Sequence, residues 1–516
     1  MGVARRQPPV AISRGEDVAD SRSVVIGVDS STQSTKAAVV DAETGEVLAL
    51  GRAPHTVTGT GGARESDPEE WWTALVSAVR AAVRDAGVPA SAVTGLAVAG
   101  QQHGLVVLDA DGRPLRPALL WNDTRPAPQA AELAGELGGP EGWLERTGSV
   151  PVAALTAAKW EWLRTHEPEH AAATAAIRLP HDYLTERLTG RATTDPGDAS
   201  GTGWYGHGRG ADDASSGAYD AGILAHLGID PALLPEVAPT GATPVGTLTP
   251  AAAEALGLSP AVLVAAGTGD NMAAAVGLGL GGAGLLDHPV VSLGTSGTVF
   301  AATRARPADP GLSGFAAADG TYLPLGCTLN CTLAVDRFAT LLGLDREDVR
   351  PGGEVVVLPY LDGERTPDLP HAAGLVTGLR HATDPREILG AAYEGAAFTV
   401  LRALDGLLAA CGLDPADPAV RDRPIRLIGG GARGRAWTDT VRRLSGRPVV
   451  IPAAEELVAL GAAALAAGAV TGADPVAVAT GWGTGDGEQL PPLPRDTATW
   501  DRIGGVLTSA APTLLG

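Results

Sequence analysis

Cysteine is scarce in this sequence. The chain holds three cysteines, Cys327, Cys331 and Cys411, which form no Cys-x-x-Cys pair and have no histidine at ligand spacing nearby. An odd set of this kind argues against a disulfide framework and against a structural zinc site. The pattern fits a reducing compartment, so we expect a cytoplasmic protein.

Basic residues are also in short supply. The chain has 38 basic and 59 acidic residues, which gives a formal net charge of −21. The average field of such a chain repels phosphate backbones and anionic membranes. We therefore expect neither a nucleic acid nor a membrane as partner.

Long hydrophobic runs are missing as well. The most apolar stretch, residues 457–470, is half alanine and is shorter than the ~20 residues that a membrane span requires, so it predicts a buried helix. Residues 1–22 are polar and are interrupted by Pro8, Pro9 and Gly15. They contain no apolar segment typical of a signal peptide, and we predict a disordered tail.

Two common nucleotide-binding motifs are absent. The sequence has no Gly-x-x-x-x-Gly-Lys-Ser/Thr loop, and no Gly-x-Gly-x-x-Gly motif follows its first predicted strand. The absence of these motifs argues against a P-loop ATPase and against a Rossmann-fold dehydrogenase.

The segments that are present predict two domains of α/β class. A chain of 516 residues exceeds a single domain of ~100–200 residues. Residues 23–29, 35–41 and 47–50 read as three strands joined by polar turns, and residues 290–293 and 298–302 repeat such a hairpin. Helices and strands alternate elsewhere, as in the predicted helix 69–85 and the strands 95–99 and 425–428. We infer an internally duplicated architecture, with domains at 23–279 and 280–516.

Both hairpin turns carry residues that suit phosphate. Residues 29–36 and 294–297 are rich in glycine, serine and threonine, which offer backbone N–H groups and hydroxyls without bulk. Lys36, one of only two lysines in the chain, lies in the first turn, and its ammonium suits polyphosphate. Ordinary hairpin turns and a solvated lysine remain the alternative.

Three further segments follow predicted strands. Asp270 stands between a strand and a helix, where α/β proteins place catalytic groups, although it could serve only as a helix cap. His103 lies on a loop after strand 95–99. The glycines of residues 429–433 would let a flat base approach the backbone, or would form a simple turn.

Taken in order, these segments resemble the FGGY carbohydrate kinases, a family related to actin and Hsp70. The resemblance runs from about Val24 to about Gly468, over residues 27–36, 99–104, 119–125, 179–184 with 189–190, 195–202, 267–271, 292–297, 358–367 and 427–433. It implies a two-domain, actin-like ATPase (ribonuclease H-like) fold, in which each domain is a mixed β-sheet flanked by helices and the active site lies in the cleft between them.

The resemblance also implies roles for individual residues. Asp270 would be the general base, and Asp29 would hold Mg²⁺. The remaining contacts implied are those with the phosphates of ATP (Thr32, Lys36, Gly294, Thr295), with adenine (Gly430, Gly431, Ala432) and with the sugar (Gln102, His103, Asn271). A homodimer is suggested by the same likeness.

Within the family, the sequence is most similar to members that act on D-xylulose. The similarity lies in Gln102 and His103, residues 121–123 and residues 363–367. The chain departs from the family pattern at Ser31, where glycine is common, at Gln102, where methionine is frequent, and at Thr268, where glycine is frequent. Ribulose, gluconate, glycerol and deoxyxylulose remain alternative substrates, and an actin-like or Hsp70-like ATPase is the alternative from another class.

Overall fold

The computed structural model describes residues 23–206, 217–282, 284–307, 309–369 and 371–514. The tail that we predict to be disordered, residues 1–22, lies outside these described residues. Within them the chain forms two large mixed β-sheets flanked by helices. The α/β class and the arrangement of one sheet per half are confirmed.

The first half supplies strands β1 to β15 and helices α1 to α10. The strands are β1 Val24–Ser30, β2 Ser34–Asp41, β3 Val47–Pro54, β4 Glu65–Ser66, β5 Val93–Gly100, β6 Val106–Leu108, β7 Ala118–Leu119, β8 Ala176–Arg178, β9 Thr193–Thr194, β10 Tyr205–Gly206, β11 Ala218–Tyr219, β12 Glu236–Val237, β13 Pro244–Thr247, β14 Leu263–Ala265 and β15 Thr268–Gly269. The helices are α1 Pro68–Ala86, α2 Ala127–Gly135, α3 Gly139–Thr147, α4 Thr156–His166, α5 Pro168–Ala173, α6 Pro180–Thr189, α7 Pro196–Ala199, α8 Ala221–Leu227, α9 Pro250–Leu256 and α10 Asp270–Gly277.

The first sheet is built on the predicted meander. Its order is β13-β14-β5-β1-β2-β3, and β15 also pairs with β5. β1 runs antiparallel to β2 and parallel to β5, and β2 runs antiparallel to β3. Every residue of β1 is buried, as expected for a central strand covered on both faces. The carboxyl ends of β1, β5 and β15 therefore lie at the same edge of the sheet.

The second half supplies strands β16 to β24 and helices α11 to α17. The strands are β16 Val290–Leu293, β17 Gly297–Phe300, β18 Ser313–Ala316, β19 Tyr322–Thr328, β20 Val356–Leu358, β21 Leu375–Thr377, β22 Ile425–Ile428, β23 Val449–Pro452 and β24 Gly487–Leu490. The helices are α11 Thr332–Leu342, α12 Pro385–Ala410, α13 Pro418–Arg421, α14 Arg435–Ser445, α15 Leu457–Thr471, α16 Pro475–Gly481 and α17 Thr497–Leu514.

The second sheet repeats the plan of the first. Its order is β18-β19-β17-β16-β22-β23-β24. β16 runs antiparallel to β17 and parallel to β22, as β1 does to β2 and β5. The hairpins β1–β2 and β16–β17 are thus equivalent elements of two similar sheets, which agrees with the inferred duplication.

Helix α15 connects the two halves. It lies between β23 and β24 of the second sheet in the chain, but it packs on β1 and β5 of the first sheet, and also on α10. A Cβ on Gly27 would lie 1.9 Å from the carbonyl oxygen of Ala459, so only glycine permits this approach. The alanines of α15 are buried, in agreement with the predicted buried helix. Among the described residues no single helix is long and apolar enough to span a membrane, and the one pair that passes together, α15 with α16, is bent by 115°.

Candidate active site

The first hairpin turn holds a buried carboxylate. Asp29, near the end of β1, is 3 % exposed, and its Oδ1 accepts a hydrogen bond of 2.5 Å from the Ser31 hydroxyl. Burial, together with the charge of Glu456, raises the pKa of Asp29, although Ser31 and Lys36 act against this. Thr32, at the tip of the turn, accepts a hydrogen bond from the Trp121 indole at 3.1 Å.

Lys36 lies opposite Asp29 in the hairpin and reaches across to the second half. Its Nζ is 3.6 Å from Asp29 Oδ2 and 2.6 Å from Glu456 Oε2. Burial lowers the pKa of Lys36, but the hydrogen bond to Glu456 and both negative charges outweigh it and raise the pKa. Glu456 stands at the start of α15. The predicted phosphate-binding lysine is thus charged, and both halves of the chain position it.

The second hairpin turn is more open. Thr295 is exposed, and a Cβ on Gly294 would meet only the Ser296 carbonyl, at 3.2 Å. The Gly294 N–H donates to that carbonyl, and the Gly294 carbonyl accepts from Thr332. The N–H and the carbonyl of Gly294 are therefore engaged within the protein, and Thr295 is the exposed residue of this turn.

A cavity of about 340 Å³ lies beside the glycines predicted to contact adenine. Gly430, Ala432 and the ends of β22 and β23 line it. Nothing lies within 4 Å of a Cβ placed on Gly430, whereas a Cβ on Gly431 would lie 2.7 Å from Leu293. Gly429 has a positive φ of 87°, which turns the chain away from the strand. The cavity falls at the lower end of the range of ~300–1,000 Å³ that is usual for ligand sites.

Asp270 is the first residue of α10. The N-cap residue is Gly269. The alternative interpretation of Asp270, as the residue that caps this helix, is therefore wrong. Asp270 Oδ1 accepts from the Asn271 N–H at 2.8 Å, and the residue is partly exposed. Burial, with the charges of Asp29 and Asp198, raises the pKa of Asp270 to about 7. A carboxyl group of this pKa is well suited to accept a proton near neutrality.

Gln102 and Asn271 meet because their strands are neighbours. β15 pairs in parallel with the end of β5, so the residues that follow these strands emerge side by side. Asn271 Nδ2 donates to Gln102 Oε1 at 2.7 Å. Gln102 is 3 % exposed, which places most of its side chain behind the surface of the pocket.

His103 occupies a left-handed conformation, with φ of 65°. Its Nδ1 lies 2.8 Å from the Gly201 carbonyl, and its ring contacts Phe315 of β18 at a centroid distance of 5.4 Å. Burial, with the charges of Lys159 and Arg365, lowers the pKa of His103 to about 3. The ring is therefore neutral, and since a carbonyl only accepts, Nδ1 carries the proton and Nε2 offers a lone pair.

Three contributors to this site were missed from the sequence. Gly201 and Phe315 hold the His103 ring, and Glu456 holds Lys36. Gly201 falls in residues 195–202, which carried the family resemblance but no predicted role. Phe315 and Glu456 have no local signal, because an edge-strand aromatic and an acidic residue before a helix are ordinary features.

Sequence comparison assigns the family. The N-terminal domain of the FGGY family of carbohydrate kinases matches residues 24–277, and the C-terminal domain of that family matches residues 290–470. The chain belongs to this family. It is accordingly a phosphotransferase that uses an alcohol group as acceptor and ATP as donor, and the predicted family is confirmed.

Named relatives narrow the resemblance within the family. The chain is 57 % identical to a xylulose kinase of Streptomyces rubiginosus, over 95 % of this chain and 97 % of the relative. Identity to a xylulose kinase of Streptomyces coelicolor is 58 %, again over 95 % and 97 %. The crystal structure of xylulose kinase from Bifidobacterium adolescentis matches with a TM-score of 0.79 and 33 % identity, covering 94 % of this chain and 99 % of the other. These matches confirm the predicted similarity to xylulose kinases.

The raised pKa of Asp270 predicts a pH dependence. A base must be ionised to accept a proton, so kcat/KM for the sugar should fall as pH drops below about 7. We expect a loss of roughly tenfold per pH unit below that point. His103, with a pKa of about 3, should not contribute to this fall of kcat/KM below pH 7. The variant His103→Asn should therefore show the same fall. A flat profile between about pH 5 and 8 would contradict the assignment of the base.

Proposed function

We propose that this protein transfers the γ-phosphoryl group of ATP to O5 of D-xylulose, giving D-xylulose 5-phosphate and ADP. The observation that supports this most strongly is the group of side chains around Asp270. Asn271 is adjacent in the chain and hydrogen-bonded to Gln102, and the next residue, His103, presents a neutral ring with a free acceptor. A base lies beside groups suited to a polyhydroxylated ligand, and the named relatives carry the same activity in their names.

Asp270 performs the one proton transfer in this proposal. Phosphoryl transfer requires mainly positioning and charge neutralisation. The O5 hydroxyl loses its proton to the Asp270 carboxylate while its oxygen bonds to the γ-phosphorus, and the bond from that phosphorus to the β–γ bridging oxygen breaks. ADP leaves with the electron pair of the broken bond. A pKa of about 7 keeps a large fraction of Asp270 ionised at neutral pH.

Lys36 and the two hairpin turns would meet the phosphates. Thr32 and Lys36 come from the first turn, and Gly294 and Thr295 from the second. Lys36 is positively charged and pairs with Glu456 and Asp29 in the ligand-free protein, so bound phosphates would compete with these two carboxylates for its ammonium. Gly430 and Ala432, which line the cavity beside β22, would flank the adenine together with Gly431, which lies between them in the chain but does not line the cavity.

Asp29 is suited to Mg²⁺. It offers a hard carboxylate oxygen, Oδ2, which lies 3.6 Å from the Lys36 ammonium. The described residues contain no cluster of three or more His, Cys, Asp or Glu side chains able to enclose a metal. Mg²⁺ usually keeps several waters and takes its other ligands from substrate phosphates, so a single protein carboxylate would be enough to hold it. When bound, Mg²⁺ neutralises charge on the phosphate oxygens.

The departure at Gln102 leaves the proposed sugar unchanged. Its amide oxygen is hydrogen-bonded to Asn271, and the side chain is almost fully buried. The sugar-facing groups are therefore mainly those of His103 and Asn271. A direct contact between Gln102 and the sugar stays a prediction, as does the homodimer.

Release of ADP in the presence and absence of sugar tests the proposal. With Mg-ATP alone we expect slow hydrolysis, and with D-xylulose added we expect turnover raised by several orders of magnitude, because the correct acceptor replaces water. Xylulose 5-phosphate should form in equal amount to ADP. ATP turnover that does not respond to any sugar would overturn the proposal.

A further inference from the structure

A turn with no assigned role lies directly behind the sugar-facing side chains. It comprises residues 195–202, formed by α7 and the residues that follow it. Asp198 and Ser200 are completely buried, and Thr202 is 3 % exposed. These side chains are buried beneath the protein surface, and the turn contacts His103 directly and Asn271 by way of Gln102.

The backbone of Gly201 fixes the orientation of His103. Its carbonyl accepts from His103 Nδ1 at 2.8 Å, which also sets the tautomer. A Cβ on Gly201 would lie 2.4 Å from Nδ1 and 2.5 Å from Cε1 of the same ring. The residue does not have a positive φ. The requirement for glycine here therefore comes from the His103 ring and not from the backbone conformation.

The side chain of Asp198 faces Gln102. A Cβ placed on Gly269 would lie 2.6 Å from Gln102 Cγ and 3.1 Å from Asp198 Oδ1, so the two side chains meet at the residue before Asp270. Gln102 Nε2, a donor, and Asp198 Oδ1, an acceptor, are both buried, and neither has a hydrogen-bond partner among the described residues. Burial raises the pKa of Asp198, and the Gln102 amide lowers it. Since Gln102 Oε1 accepts from Asn271, Asp198 is placed to fix which way the amide points.

His181 fixes Asp198 in turn. Its Nδ1 lies 2.6 Å from Asp198 Oδ2, and both side chains are fully buried. A single proton shared between His181 Nδ1 and Asp198 Oδ2 gives this pair one hydrogen bond. Whichever of the two atoms holds that proton, Asp198 Oδ1 remains an acceptor for Gln102. Gly267 makes room for the ring, since a Cβ there would lie 3.2 Å from His181 Cδ2, and Gly100 makes room for the backbone and Cβ of the same histidine.

The same turn is attached to the second half of the chain. The Ser200 hydroxyl accepts from the Ala316 N–H at 3.0 Å, on strand β18. Phe315, the preceding residue, is the one that contacts the His103 ring. The edge of the second sheet and the turn therefore enclose His103 together.

We propose that residues 195–202 are a positioning element for the sugar pocket. Gly201 orients His103, while Asp198, supported by His181, orients Gln102 and through it Asn271. The chemical class of ligand is the ketose of the proposed function, on which this inference rests. Asp198 and His181 act through other side chains, so their loss should raise KM for the sugar and leave the nucleotide contacts unchanged.

Two variants test the two parts of the element. Gly201→Ala displaces the His103 ring, and Asp198→Ala removes the acceptor for Gln102. For each we expect KM for D-xylulose to rise roughly tenfold or more, the usual effect of losing one buried hydrogen bond, with KM for ATP within about twofold. Asp198→Asn should recover most of the loss, because its amide keeps an oxygen for Gln102 and offers an N–H to His181.

A double variant separates positioning from general destabilisation. In a Gln102→Ala background, Asp198→Ala should raise KM for the sugar no further, because its effect passes through Gln102. The control is Glu394→Ala, which removes another carboxylate that is 1 % exposed and that contacts Gly352 and Arg443 instead. It should lower Tm without changing KM for the sugar.

Three outcomes would overturn the inference: equal changes in both KM values, an unchanged sugar KM in Gly201→Ala and Asp198→Ala, or additive effects in the double variant. If Asp198→Ala does not fold, Gly201→Ala and Asp198→Asn still decide between these outcomes. Failure of the proposed function looks different, since the parent protein itself would then not phosphorylate D-xylulose. In that case the same variants are measured with the sugar that it does accept.

Discussion

Replacing Asp270 by asparagine should lower kcat by about 10²–10⁴, the usual contribution of a general base. The change keeps the size of the side chain and removes its ability to accept the O5 proton. ATP binding should change by less than about twofold, because the nucleotide contacts come from the two hairpin turns and the cavity beside β22. Single-turnover rates with D-xylulose and calorimetric titration with ATP measure the two effects separately.

Stability provides the control for this variant. The pKa of Asp270 is raised to about 7 by burial, Asp29 and Asp198, so its ionised form destabilises the folded protein as pH rises through and above the unfolded value near 4. Asparagine removes that cost. We therefore expect Tm of Asp270→Asn at about pH 8 to equal or exceed that of the parent. Turnover within tenfold of the parent, in a folded variant, would show that Asp270 is not the base.

Replacing His103 by alanine should raise KM for D-xylulose by roughly 10- to 100-fold, because a buried acceptor for a sugar hydroxyl is lost. KM for ATP should stay within about twofold, since the ring is held by Gly201 and Phe315 and touches none of the proposed nucleotide contacts. Initial rates with each substrate varied in turn measure both constants.

A second histidine serves as the matched control for His103. His166 is exposed at the end of α4, where it stacks on Trp162. His166→Ala should leave both KM values unchanged. If His103→Ala raised KM for ATP as much as KM for the sugar, the ring would not belong to a sugar pocket.

The parts of the fold that depend on local sequence pattern could be predicted. The apolar runs that become β1, β2, β16 and β17 and the polar turns between them specify both hairpins, and their equivalence in the two sheets follows. The position of α15 could not be predicted in this way. An alanine-rich helix that is apolar all round has no preferred face, so its packing on Gly27 and α10 depends on the whole assembly.

The candidate site likewise contains residues that the sequence pattern predicts and residues that it does not. Asp270, Asn271, Gln102 and His103 follow parallel strands, and such residues meet at one edge of the sheet. The partners that orient them come from distant parts of the chain. Gly201 lies 98 residues from His103, and Glu456 lies 420 residues from Lys36. No local pattern encodes these contacts, because each partner is common in ordinary turns and caps.

The most direct test of the account is the choice of sugar and the position of the phosphate. It compares kcat/KM for D-xylulose, D-ribulose, L-ribulose, gluconate and glycerol under one set of conditions, with the product located by NMR. A pocket that hydrogen-bonds particular hydroxyls can discriminate by up to ~10⁴, so we predict a strong preference for D-xylulose with the phosphate on O5. A higher kcat/KM for glycerol or gluconate, or phosphate on another oxygen, would contradict it.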